Sequence, residues 1–153
     1  MSALTVMSTC GDKPLVEVPE SLKGNPLVEE WDTPYQTPPF SEIELKHYEP
    51  AFDYAIELNR AEIDAIVNNP EAPTFENTIV AMNNSGELLG RISGVFFVLN
   101  NCVTSPEMQQ IAMNITPKLT ELSNDISLNP ALFERVKVVY DQRKKLKLDQ
   151  EDM

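Results

Sequence analysis

From Pro50 onward, apolar residues recur at steps of three and four, and no stretch alternates with period two for long. That spacing lines one side of a 3.6-residue helix, whereas a half-buried strand needs every second residue apolar. The chain is therefore read as all-α. A first long helix starts near Pro50, whose ring suits the first helical position. Phe52, Ala55, Ile56, Ile63, Ile66 and Val67 form its stripe, and Asp53, Glu57, Arg60 and Asp64 fall mainly opposite. Asn69-Pro70 ends it, because the residue before a proline avoids the helical region. Ser41 to Tyr48 reads as a short preceding turn or helix.

Thr74 is the expected N-cap of a second helix. Its stripe is Phe75, Ile79, Met82, Leu89, Ile92, Phe96, Leu99 and Val103, with one step of seven across Ser85-Gly86. Ser85, Gly86, Gly90, Ser93 and Gly94 crowd this helix. Each glycine costs up to about 1 kcal/mol of helix propensity, so they imply a bend or the close approach of another helix. The run Val95 to Leu99 is apolar on nearly all sides, which predicts burial among several neighbours. Ser105-Pro106-Glu107 then offers a cap, a proline at the first position and an acid near the positive helix end. Met108, Ile111, Ile115, Leu119, Leu122 and Ile126 follow, with Pro117 expected to kink this helix without breaking it. Asn129-Pro130 restarts a fourth helix carrying Leu132, Phe133, Val136, Val139 and Tyr140. Leu146 and Leu148 come after it with no further helix to receive them. The four long helices are expected to run antiparallel, as a closed bundle or as a slab that needs more helices to complete it.

The chain has 153 residues, 42% of them hydrophobic and 24% charged, within the range of a folded globular chain. Its net charge of −12 repels phosphate backbones and argues against nucleic acid as a partner. No stretch of about 20 apolar residues is present, so no transmembrane helix is expected.

Residues 11 to 40 hold Pro14, Pro19, Pro26, Pro34, Pro38 and Pro39 and little periodicity, which predicts an extended, mostly irregular lead-in. Residues 1–24 are taken as a signal-like or disordered lead-in and 25–153 as the helical region. Leu27, Trp31, Tyr35 and Phe40 are expected to anchor the segment from Asn25 onto the folded body. The start MSALTVMSTCGD is mildly apolar, with Ser8 and Thr9 ahead of Cys10. It reads either as a bacterial lipoprotein signal clipped at its front, with Cys10 as the lipidated residue, or as a disordered native start. The first reading places the protein in the cell envelope or periplasm, and the second leaves it cytoplasmic. Cys102 is expected to be a small buried hydrophobe.

Catalytic patterns are missing. His47 is the only histidine, so the two-histidine helical zinc motif H-E-x-x-H is excluded. Phosphate-cradling glycine loops and the G-x-S-x-G elbow are absent as well. The carboxylate pairs Glu42/Glu44, Glu57/Asp64 and Glu121/Asp125 are expected on wet helix faces, not in a cleft that sets their acidities apart. His47 is read as a hydrogen-bonded group at the entrance to the first long helix. Arg143, Lys144, Lys145 and Lys147 are read as a solvated helix end. No residue is assigned a catalytic, cofactor-binding or metal-binding role.

Several blocks follow one another in a specific order. They are Asn25-Pro26, Pro39-Phe40, His47-Tyr48-x-Pro50-Ala51-Phe52, Arg60-Ala61-Glu62-Ile63, and Asn69-Pro70-x-x-Pro73-x-Phe75-x-Asn77-Thr78-Ile79. Ser85-Gly86-Glu87-Leu88-Leu89, Val95-Phe96-Phe97, Leu128-Asn129 and Leu132-Phe133-x-Arg135-Val136 continue the series. In this wording the chain resembles the N-terminal helical region of the thimet-oligopeptidase-like zinc metallopeptidases, and within them the bacterial peptidyl-dipeptidases. The resemblance covers roughly Asn25 to Asp149.

It implies a largely helical parent enzyme whose two halves enclose a deep channel. The parent would use zinc to release dipeptides from the C-termini of oligopeptides, with a motif glutamate as general base. The zinc motif of the family lies far beyond the matched region, so no zinc or catalytic position carries over to these residues. On this reading the chain is truncated at its C-terminal end, helps to cover the channel and is inactive alone. Three alternatives stay open: an endo-acting oligopeptidase of the same family, a freestanding helical binding domain, and an envelope lipoprotein anchored at Cys10.

Overall fold

The computed structural model describes residues 15–144. Among them the chain forms helices and turns and no strand, as the spacing of apolar residues requires. Helix α1 spans Tyr48–Val67, and a single π-helical stretch, Phe75–Val80, leads into the short α2, Ala81–Asn84. Helices α3 (Glu87–Cys102), α4 (Pro106–Ser127) and α5 (Pro130–Gln142) follow.

The caps are those that the sequence supplies. The Thr74 hydroxyl accepts the Asn77 N–H, and the Asn77 side chain accepts the Thr74 N–H in return. Ser105 accepts the Met108 N–H, and Asn129 accepts those of Ala131 and Leu132. Helix α1 starts two residues before Pro50, because the turn Leu45–His47 runs directly into it. The expected second helix is split in two at Ser85-Gly86, where Gly86 takes a left-handed φ of +73° that ends the first segment. Helix α4 passes through Pro117 unbroken.

Polar side chains fix the helix directions. Glu49 meets Asn114, Asp53 meets Lys118 and Arg60 meets Asp125, each pair separated by 65 positions. A constant offset over three turns means that α1 and α4 run the same way. Tyr48 meets Phe96 while Glu62 meets Gly86, so α3 runs opposite to α1. The long helices α1, α3 and α4 thus alternate in direction along the chain, which leaves α1 and α4 parallel.

The main core lies where these three helices meet. Phe52 and Phe96 are fully buried, as are Leu27, Ile92 and Ile115. Phe96 meets Tyr48, Phe52 and Phe97 edge-on at centroid distances of 4.9, 5.6 and 5.2 Å. Each such contact adds about 0.5–1.5 kcal/mol beyond area burial. A smaller core joins Ile63 and Ile66 of α1 to Leu132 of α5.

Four expectations about burial are corrected. Val98 is 61% exposed, so the Val95 to Leu99 run is left open at Val98 while its other members pack on the core. Phe133 and Tyr140 face outward, because Leu132, Arg135 and Val139 form the buried stripe of α5. Of the aromatic anchors, Trp31 packs against the body, whereas Tyr35 is 98% exposed and Phe40 also projects outward. Tyr35 sits in a turn with φ +62°. Cys102 is exposed, since α3 ends there beyond the core.

Candidate functional site

The residues singled out for acid–base chemistry do not converge. Glu42, Glu44, Glu57, Asp64, Glu121 and Asp125 are all exposed and spread over several elements. Glu44 is paired with Lys46 at 2.9 Å, and that hydrogen bond and charge hold its carboxyl below the usual range. His47 closes a capping turn, its Nδ1 accepting the Glu44 N–H at 3.0 Å. Among the described residues no three histidine, cysteine or acidic side chains gather closely enough to hold a metal. A zinc ion therefore does not fit these residues. Cys10 lies outside the described residues.

The quoted blocks do come together, as three polar joints. In the first, the Glu62 carboxylate accepts the backbone N–H of Gly86 at 2.7 Å and the Asn59 amide at 3.3 Å. The block around Glu62 thereby caps the block around Gly86. In the second, Arg135 is buried with α5, 8% exposed, and donates to the Asn69 carbonyl at 3.0 Å and the Asn77 side chain at 3.2 Å. It also reaches the Glu71 carbonyl, so one guanidinium holds the whole turn between α1 and the π-helical stretch. In the third, Asn25 donates to the His47 carbonyl and accepts the Leu27 N–H, both at 3.0 Å.

Arg91 secures the same segment from α3, donating to the carbonyls of Leu27, Val28 and Glu29 with its guanidinium 4.8 Å from the Trp31 ring centre. Burial pulls the Arg91 guanidinium below its ordinary value, opposed by Glu87 and Glu30. Sequence reasoning missed Arg91, Arg135 and Asn59 as joints. The available signal was a polar side chain on an otherwise apolar stripe, most clearly Arg135 between Leu132 and Val139.

One cleft, of about 470 Å³, opens at the corner between α3 and α4. Ile43, Leu45, Tyr48, Leu99, Val103 and Met108 line it, with Glu44 and Lys46 beside them. That lining is mainly apolar. The joints hold shape, and the open surfaces offer contact.

Over 129 residues the chain is 46% identical to the dipeptidyl carboxypeptidase of Salmonella typhimurium, a match covering 84% of this chain and 19% of that protein. It is 44% identical to the dipeptidyl carboxypeptidase of Escherichia coli over the same shares. This chain belongs to the thimet-oligopeptidase-like peptidase family. Oligopeptidase A of Escherichia coli, also of this family, is 29% identical over 117 residues, 76% of this chain and 17% of that protein. No protein-family profile matches the chain. It spans about a fifth of the length of these family members.

Proposed function

We propose that this chain is part of the N-terminal helical wall of a zinc-dependent peptidyl-dipeptidase that releases dipeptides from the C-termini of oligopeptides. The observation that carries this reading is the 46% identity over 84% of the chain to a dipeptidyl carboxypeptidase. The lower identity to oligopeptidase A, 29% over 76% of the chain, favours removal of dipeptides over internal cleavage. The site supports the same division of labour. The described residues supply polar joints and apolar surfaces, and a zinc ion belongs to other parts of the enzyme. The chain's work is to shape the enclosure that admits oligopeptides, and by itself it cleaves none.

A segment exchange tests this. The matched 129 residues of the Escherichia coli dipeptidyl carboxypeptidase are replaced by those of this chain. The hybrid should fold and release dipeptides from an oligopeptide with a free C-terminus, and a chelator should stop it. A folded hybrid without that release would overturn the proposal. Peptide cleavage by this chain alone would overturn it as well.

A further inference from the structure

Helix α3 has an outer side that no described residue covers. A Cβ placed on Gly90 or Gly94 would meet no atom within 4 Å. Val98, one turn further on, is 61% exposed, and Val103, just past the helix end, is 65% exposed. Glu87 and Arg91 flank Gly90, and beyond them the stretch is free of charge. No Asp, Glu, Lys or Arg stands between Arg91 and Glu107, in a chain of which 24% is charged.

The α1–α4 surface shows the contrast, carrying Asp53–Lys118, Arg60–Asp125 and Glu49–Asn114 pairs on exposed side chains. A water-facing helix gains nothing from two interior glycines, each of which lowers its stability by up to about 1 kcal/mol. A face recessed at Gly90 and Gly94, apolar at Val98 and uncharged beyond Arg91 suits the close approach of a second apolar helix. The matched relatives are about five times longer than this chain, so such a helix is available within one polypeptide.

We propose that the Gly90–Gly94–Val98 face of α3 is a packing seam for an apolar helix from the part of the family polypeptide that this chain does not include. The inference rests on the reading above, that the chain works inside a longer peptidase. It names the surface through which the segment joins the rest.

The test uses Val98→Glu in two settings, this chain and the Escherichia coli hybrid. In this chain the side chain is exposed, so the melting temperature and circular dichroism should stay unchanged. In the hybrid a carboxylate would be trapped in an apolar seam. An increase of about ten-fold or more in the rate of trypsin cleavage is expected, with a lower melting temperature.

An equal response of the two settings would overturn the seam. So would dimers of this chain that Val98→Glu dissolves, or binding of this chain to phosphatidylcholine vesicles, since each assigns the face to another occupant. The trypsin comparison needs only a folded hybrid. A hybrid without dipeptide release but with a sensitive Val98 therefore refutes the functional reading and leaves the seam standing.

Discussion

Glu62 on α1 accepts the backbone N–H of Gly86 at 2.7 Å, so the carboxylate of one helix caps the start of another. Gly86 has no side chain with which to cap α3 itself. An acid at that end also faces the positive pole of the helix dipole. The position demands glycine twice over: φ is +73°, and an added Cβ would lie 2.7 Å from the Asn59 amide nitrogen.

Glu62→Ala should therefore cost about 1–2 kcal/mol in urea unfolding, and Glu62→Gln, which keeps an acceptor, should cost less. Gly86→Ala should cost about 1–3 kcal/mol from backbone strain and the clash together. Equal losses for the two Glu62 variants would show that the cap is not the cause.

Arg135 should resist even its conservative replacement. Its planar fork serves Asn69, Glu71 and Asn77 at once, and a lysine offers one point charge in place of two directed nitrogens. Arg135→Lys should lower stability by about 1–3 kcal/mol. Hydrogen exchange should quicken first at backbone amides in the turn between α1 and the π-helical stretch. A uniform change across the whole chain, with no excess in that turn, would count against the joint.

What was legible in the sequence follows from what each feature depends on. Thr74, Ser105 and Asn129 act through residues two or three positions away, so local spacing revealed them. Tyr35 and Phe133 could not be placed in this way. Whether a large apolar side chain is covered depends on elements distant in sequence, and period alone gives α5 two possible apolar sides. Gly86 carried half of its message. A bend was readable from the seven-residue step, but the partner that needs the bend, Glu62, lies 24 positions away. For the functional site, the lone His47 was informative through its number, and the joints were invisible because Arg91 and Arg135 reach across 62 to 66 positions to bare carbonyls.

Two tyrosines should make stability depend on alkaline pH. Burial raises the Tyr48 hydroxyl above its usual value near 10, and it does the same for Tyr54, helped by the charges of Glu57 and Glu62. The unfolded chain then loses these protons first as pH rises. Their contribution to stability is complete below about pH 10 and is lost as pH climbs from the unfolded value through the raised folded value. Urea midpoints measured on either side of pH 10 should fall for the unaltered chain and fall less for Tyr48→Phe. Tyr54→Phe should flatten the slope too, but from a lower starting stability, because its hydroxyl donates to the Val16 carbonyl. An unchanged slope in Tyr48→Phe would assign the alkaline loss to other groups.

The three glycines around α3 should answer the same substitution with opposite signs. Gly90 and Gly94 lie inside the helix with open space at the Cβ position and no left-handed φ, whereas Gly86 has both a positive φ and a crowded side. In this chain Gly90→Ala and Gly94→Ala should each raise stability by about 0.5–1 kcal/mol, through helix propensity and a less disordered unfolded chain. Urea unfolding of the two variants beside Gly86→Ala reads the contrast in one experiment. In the hybrid the gain at Gly94 should shrink or reverse, because a methyl group there would push against the helix seated on the seam. A loss at Gly90 or Gly94 in this chain alone would mean that the face is already in contact, and the open side of α3 would then have to be abandoned.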